Sequence, residues 1–217
     1  MTQTYTKPTL TSDVVAIRFH HGYLQVFLVD DRDGVDAVAG RLPSCPVEAN
    51  QSPVTCAQSM MRALGADRAW LEAGTFTATA DAVHSSALSI ALVCLTTTLE
   101  DGDCEAQGSV PGTWHELTKM PRLNARDQMI IDAGLQTLRR HALTDTLPLL
   151  LLPRKFRMRT VRHLYSQILG TAIKPSQLKS WMRKRQAVRR VGPARFERNP
   201  QLVHDFLCPP FTQSTDL

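Results

Sequence analysis

Apolar positions change their spacing four times along this chain, and each change marks a different kind of element. Ser12 to Phe19 (SDVVAIRF) and Tyr23 to Val29 (YLQVFLV) are rich in β-branched and aromatic residues, which predicts two strands. His20-His21-Gly22 between them suits a hairpin connection. Asp30 to Gly40 is polar and glycine-bearing, hence a loop. From Ser52 the spacing turns helical. Val54, Ala57, Met61 and Leu64 recur on one face, Ser52 is a cap, Pro53 opens the first turn and Gly65 is the stop. Trp70 to Phe76 and Ala87 to Leu95 return to strand composition. The second is apolar on both faces, as a central strand is. Glu100 to Gly112 is a long acidic loop, and Trp114 to Leu117 predicts a last short strand.

Beyond that strand the pattern is helical. Asp127 to His141 carries Met129, Ile130, Ala133, Leu135 and Leu138. A connection bounded by prolines, Leu147 to Pro153, follows. Met158 to Leu169 is amphipathic, with Val161, Leu164, Tyr165, Ile168 and Leu169 on one face and Gly170 ending it. Pro175 opens a second helix running to about Gln186. Leu178, Trp181 and Met182 face inward there, and Lys179, Ser180, Arg183 and Lys184 outward. Trp181 reads as core rather than as a stacking platform. Two short helices joined by a tight turn make a helix-turn-helix. Ala187 to Phe196 then predicts a hairpin turning at Gly192-Pro193 with arginine on both flanks. A helix-turn-helix followed by a basic hairpin is a winged helix, whose second helix enters the major groove of DNA.

Charge sharpens the division. Residues 151–200 hold fourteen Lys or Arg and one acid, Glu197, whereas residues 1–150 hold 11 basic and 17 acidic residues. The net charge of +5 is therefore the sum of an acidic half and a strongly basic block. A block of that density repels itself without a polyanion, and nucleic acid is the default one because each neutralised phosphate releases counterions. A hydrophobic content of 43% excludes a disordered chain. No apolar run approaches the roughly 20 residues of a membrane span. The five cysteines, Cys45, Cys56, Cys94, Cys104 and Cys208, form no C-x-x-C pair and no zinc-type spacing with histidine. They read as reduced thiols of a cytoplasmic protein, with Cys94 a small core residue. His20-His21, Asp30-Asp31 and His84 with Asp81 fall at turns and loops and read as solvated surface. No metal-binding residue is assigned.

Strand, strand, loop, Leu42-Pro43, loop, helix, Gly65, strand, strand is an order that resembles a Nudix domain. Trp114-His115-Glu116-Leu117 and Met120-Pro121-Arg122-Leu123 resemble its last strand and following turn. The Nudix box reads G-x5-E-x7-R-E-U-x-E-E-x-G-U, with U apolar, and its glutamates hold Mg²⁺ against a diphosphate. Anchored on Gly65, the box places Asn50 at the upstream Glu, Gln58 at the Arg and Ser59 at the first helix Glu. Arg62 and Ala63 fall at the metal-binding pair, and Ser44-Cys45 replaces the glycine pair. A hard cation needs anionic oxygen ligands, so no catalytic residue is assigned.

The whole chain, from Ser12 to Phe196, resembles the Nudix-related transcriptional regulators of NrtR type. The resemblance is carried by Leu151-Leu152-Pro153-Arg154-Lys155-Phe156, by Val161 to Gly170 and by Pro193-Ala194-Arg195. The degenerate box is also similar to the non-catalytic NadQ-type repressors of NAD synthesis. The implied fold is α+β, a Nudix-like α/β/α sandwich followed by a winged helix-turn-helix domain. The implied seams are a sensor at 1–123, a connecting helix and linker at 124–153 and a DNA-binding unit at 154–217. The resemblance implies a homodimeric repressor on a palindromic double-stranded operator. It would respond to a nucleotide-type effector such as ADP-ribose, NAD or ATP and hold no cofactor.

The DNA-binding set expected on the basic block is Arg154, Lys155, Lys174, Gln177, Lys179, Arg183, Lys184, Arg189, Arg190 and Arg195. Arg183 is the favoured reader of a guanine edge and Gln177 a reader of adenine, while Lys more often meets phosphate. Arg154 and Lys155 precede the first helix of the motif as phosphate clamps. Arg189, Arg190 and Arg195 flank the wing turn. Arg18 and Arg41 are the expected effector contacts. Cys45 is a conceivable redox position, although nothing beside it in sequence lowers its pKa. The alternative is a divergent Nudix-type nucleotide hydrolase with a basic nucleic-acid-binding tail.

Overall fold

The computed structural model describes residues 9–30, 40–64, 69–79, 86–96 and 110–199. The loop body at 31–39, the stop at Gly65, Asp81 with His84, residues 100–109 of the acidic loop, Cys104 and Cys208 lie outside the described residues.

The first half is built on a mixed sheet. Its strands are β1 (Thr9–His20), β2 (Tyr23–Val29), β3 (Ser44–Pro46), β4 (Ala69–Thr79), β5 (Ser86–Thr96) and β6 (Gly112–Glu116). Their order is β4-β5-β1-β2-β6, with β3 paired to the start of β1. β1 and β5 are parallel and the other pairs antiparallel. β5 thus lies inside the sheet, as its two apolar faces require. Pairing of His20 with Tyr23 leaves His21-Gly22 as a two-residue turn, with φ of 49° and 85°. Both positive values suit the twist of a tight hairpin.

Alternation along β1 sorts its side chains between two layers. Val14 and Ala16, with Phe27, Leu92 and Cys94, meet helix α1 (Pro53–Ala63) through Ala57 and Met61. Ser52 Oγ caps α1 by accepting from the Thr55 amide at 3.1 Å. Val15, Ile17, Val26, Leu28 and Val93 meet helix α2 (Ala125–Thr144) through Ile130, Ile131 and Leu138. Gly134 packs tightly on the sheet, where an added Cβ would sit 3.1 Å from Val93. Asn124 caps α2 by accepting from the Asp127 amide at 2.7 Å, so the helix begins two residues before its expected start at Asp127.

The second half shares this second core. Leu147–Leu151 forms a 3₁₀ turn in which every residue is buried. The sequence shows it only as a connection between prolines. The same apolar cluster runs on through Phe156, Val161, Leu164, Tyr165, Ile168, Leu178 and Met182. These belong to strand β7 (Lys155–Arg157) and helices α3 (Met158–Leu169) and α4 (Pro175–Lys184). Gly170 ends α3 in the left-handed conformation, φ 69°. β8 (Val188–Gly192) and β9 (Arg195–Arg198) complete a three-stranded sheet in the order β7-β9-β8. This is the winged-helix architecture.

Three expectations need correction. β3 and β7 were not foreseen, because three residues are too few to display a period. The wing turns at Pro193-Ala194, one residue later than expected, with Ala194 at φ 60° and a bulge between Arg190 and Gly192. Cys45 and Cys56 are not reduced thiols: they are joined as a disulfide, Cα to Cα 6.6 Å, that ties β3 to α1. Eleven residues of separation give no sequence signal for that pair. It is tertiary packing that brings them together. Cys94 is buried in the core. Among the described residues no helix is long and apolar enough to cross a membrane.

Candidate nucleic-acid interface

α4 is anchored by two buried side chains, with Trp181 packed beside them, and leaves its polar side chains exposed. Leu178 and Met182 are buried, while Gln177, Lys179, Ser180, Arg183 and Lys184 are exposed. Trp181 is half-buried, edge-on to Tyr165 at 5.6 Å between ring centres, and carries the Arg185 guanidinium 4.7 Å over its ring. It is a wall of the core, as its spacing implied. Arg185 was not singled out in the sequence. The first turn of α4 contains no acid, and Lys174 at its N-cap is exposed. Its peptide dipole therefore presents an uncompensated positive end.

In the wing, Arg190 and Arg195 are exposed, and Arg190 Nε donates to the Gly192 carbonyl at 3.3 Å. Arg154 and Arg189 stand differently. Glu197 on β9 is 4% exposed and lies between them. Arg154 Nε bonds one carboxylate oxygen and Arg189 Nη2 the other, the latter at 2.9 Å. The hydrogen bonds from Arg189 and Arg154 hold the Glu197 carboxyl below the usual glutamate range. The single acid of the basic block thus engages two of the arginines that the sequence leaves free. Lys155 lies opposite Glu197 in the strand register, and Arg157 lies opposite Arg195.

On the other side of the molecule, Arg18 of β1 faces the α1 layer. Its Nε donates to Gln25 Oε1 at 2.6 Å and its guanidinium lies 4.3 Å over the Trp114 ring. Burial lowers its pKa to about 10, which leaves it charged at neutral pH. No carboxylate pairs with it among the described residues. Arg41 is bridged through its backbone to Val29 at the far end of β2, with bonds of 2.9 and 3.0 Å. Val29 is four residues from Gln25, about 13 Å at the rise of a strand. The two expected effector contacts therefore stand at different heights along β2. The next residue, Leu42, is held by its amide donating to Asp127 Oδ2 at 3.0 Å, a contact the sequence does not signal.

No family model and no curated protein matches the chain. Solved structures do. NrtR of Shewanella oneidensis aligns with a TM-score of 0.73 at 16% identity, covering 89% of this chain and 95% of that one. The same protein complexed with a 27mer DNA gives 0.74 at 15% identity, covering 90% and 95%. A MutT/nudix family protein of Enterococcus faecalis gives 0.70 at 16% identity, covering 92% and 89%. The chain has the NrtR fold. Both halves take part, since about nine-tenths of each chain superimposes.

Within the NrtR fold, polar contacts join the two halves beside the core that they share. Arg139 Nε of α2 donates to the Ile168 carbonyl at the end of α3, 3.0 Å away. Gln167 of α3 reaches the β1–β2 hairpin directly. Its Oε1 accepts from the Leu24 amide at 2.8 Å, and its amide nitrogen donates to the Gly22 carbonyl. The ring of Phe19 meets that of His163 edge-on, 6.0 Å between centres. α3 is thus held both by α2 and by the β1–β2 hairpin. The box helix α1 (PVTCAQSMMRA) carries no carboxylate, and Arg62 is its only charged residue.

Proposed function

We propose that the chain is a homodimeric, DNA-binding transcriptional regulator, a repressor of genes of NAD or nucleotide-cofactor metabolism. Its sensor at 1–123 binds a nucleotide-type metabolite without hydrolysing it. The connector at 124–153 passes the state to a DNA-binding unit at 154–217 that occupies a palindromic operator. One observation carries the reading: α4 exposes Gln177, Lys179, Arg183 and Lys184 together, with no acid beside them and a basic wing adjacent. That face suits a groove lined by phosphates and base edges. NrtR complexed with a 27mer DNA has the same fold, which supports the assignment. Lys174, Arg190, Arg195 and Lys155 supply phosphate contacts. Arg154 and Arg189 contribute once Glu197 is displaced or protonated.

Arg18 over Trp114 is the proposed effector contact. A desolvated cation with no carboxylate partner among the described residues favours an anionic group such as the diphosphate of ADP-ribose, NAD or ATP. The absence of box carboxylates on α1 supports binding without turnover. Coupling is limited by linkage: the effector shifts operator affinity only by its preference for one geometry over the other.

The test is fluorescence anisotropy on the chain's own upstream DNA against a scrambled duplex. It is run at two salt concentrations, with and without ADP-ribose, NAD or ATP. Selective binding that changes with a nucleotide supports the reading; equal, steeply salt-dependent binding to both duplexes refutes it. Arg183→Ala is expected to weaken specific binding by about 1–3 kcal/mol and to leave the scrambled duplex nearly unaffected. Mg²⁺-dependent turnover of ADP-ribose would restore the hydrolase alternative.

A further inference from the structure

The segment from Leu42 to Val47 is a strap that fastens two helices on opposite faces of the sheet. β3 within it pairs with the start of β1, Ser12 opposite Cys45 and Asp13 opposite Ser44. Successive strand residues point to opposite faces, and this corner is tied on both. Towards α1, Cys45 is bonded to Cys56, and Ser12 Oγ donates to the Pro53 carbonyl at 2.9 Å. Towards α2, the Leu42 amide donates to Asp127 Oδ2 at 3.0 Å, and Arg126 and Ser89 both bind the fully buried carboxylate of Asp13. Only Pro43 and Ser44 separate Leu42 from the disulfide. The two sulfurs differ in access. Cys45 is half-buried beside exposed Ser44 and Pro46, whereas Cys56 is buried. Cys56 Sγ lies 3.3 Å from the Pro46 carbonyl, so a thiol at that position already has an acceptor.

We propose that the Cys45–Cys56 disulfide is a redox switch, opened by a thiol reductant of the glutathione class, which frees the strap from α1 and loosens its hold on α2. The inference rests on the DNA-binding reading in one respect. A DNA-binding regulator works where thiols keep most cysteines reduced, and a disulfide found there is usually redox-active rather than structural. One reductant thiolate attacks the accessible Cys45 sulfur and forms a mixed disulfide, and the Cys56 sulfur leaves as a thiolate and takes a proton. A second reductant thiolate then attacks the reductant's own sulfur in that mixed disulfide. Cys45 leaves as a thiolate and takes a proton, and the reductant departs as its disulfide. Two electrons and two protons thus pass to the protein, and the oxidised reductant reverses the steps. Opening the bond returns chain entropy to the unfolded state and leaves β3, three residues long, held by hydrogen bonds alone. α1 packs in the cluster that contains Trp114, over which Arg18 lies. The reduced protein should therefore answer a nucleotide more weakly.

The experiment equilibrates the full chain, without denaturant, in glutathione buffers of rising reduced-to-oxidised ratio. Acid-quenched samples, alkylated and mapped by peptide mass spectrometry, should show Cys45 and Cys56 converting together within that range. Reduction should lower Tm by about 6–11 °C. It should also speed hydrogen exchange at the Leu42 and Val47 amides, which bond to Asp127 and to the Leu10 carbonyl. The nucleotide-dependent change in duplex affinity should shrink several-fold. Cys45→Ser/Cys56→Ser should reproduce the reduced state in every buffer, and Cys104→Ser/Cys208→Ser should still switch, which assigns the effect to this pair. A disulfide that survives excess reduced glutathione in the folded protein overturns the proposal. So does an unchanged exchange rate at Leu42 after reduction, or a nucleotide response of equal size in the two forms. If the duplex is bound without selectivity and without any nucleotide response, the regulator reading fails, and reduction, Tm and exchange alone decide the switch.

Discussion

Glu197→Gln isolates the most consequential pair of contacts in the basic half. In the wild type, seven cations of the interface are exposed and, among the described residues, without an acid: Lys155, Lys174, Lys179, Arg183, Lys184, Arg190 and Arg195. At about 0.9 counterions per neutralised phosphate they imply a slope of log K on log salt of about −6. Arg154 and Arg189 are excluded from that sum because Glu197 engages both. Glutamine has nearly the shape of the glutamate and removes its charge, so the two arginines are released toward phosphate. The slope should steepen by about 1.8, so that raising salt fourfold costs the variant about 12-fold more affinity than the wild type. Binding to scrambled duplex should tighten at low salt more than binding to the operator, because phosphate contacts carry no sequence. The assay is anisotropy at four or more salt concentrations, with circular dichroism to confirm that the wing remains folded. The reasoning fails if Glu197→Gln leaves the slope unchanged while Arg154→Gln/Arg189→Gln flattens it in the wild-type background. That pair of results would mean the arginines reach phosphate despite Glu197.

Two carboxylates should give opposite pH signatures. The depressed pKa of Glu197 means its contribution is present above its unfolded pKa and is lost as pH falls through the folded one, so thermal stability drops on the acid side, below about pH 4; the drop should be absent in Glu197→Gln. Asp127 is raised by burial, against the Leu42 hydrogen bond that opposes the rise. Its folded form binds the proton more tightly than the unfolded chain, so this group adds stability as pH falls through its raised value and withdraws it as pH rises. Asp127→Asn keeps an oxygen for the Leu42 amide and should flatten that dependence, whereas Asp127→Ala should cost about 1–3 kcal/mol in denaturant unfolding by orphaning a buried donor. Gln167→Ala should cost about 1–2 kcal/mol and speed hydrogen exchange at the Leu24 amide. It should also reduce any nucleotide effect on DNA affinity, and an undiminished effect would remove the hairpin from the coupling route.

The elements that were legible are those long enough to show a period. Met158–Leu169 and Tyr23–Val29 have the same bounds in the sequence and in the structure, because each buries one continuous stripe or face. Ser52, Pro53 and Gly170 are read correctly since capping is a matter of local chemistry. The outward face of α4 was likewise legible, as the alternative to burial for lysine and arginine at those positions. β3 and β7 were not, and neither was the burial of Leu147–Leu151, which a short apolar run between prolines does not distinguish from a linker.

Composition and periodicity by themselves determined a strand-rich acidic half, a helical basic half and the placement of charge on the outside of α4. These follow from local propensity and from the cost of burying charge, both of which act within a few residues. Tertiary structure alone decided which arginines are free. Glu197 meets Arg154 across 43 residues of chain and Arg189 across eight, and only the register of β7, β9 and β8 brings the three together. The same holds for Asp127 on Leu42, Gln167 on the hairpin, and Cys45 on Cys56. Each joins groups distant in sequence, and pairing at that range is set by how layers pack, which no local pattern encodes.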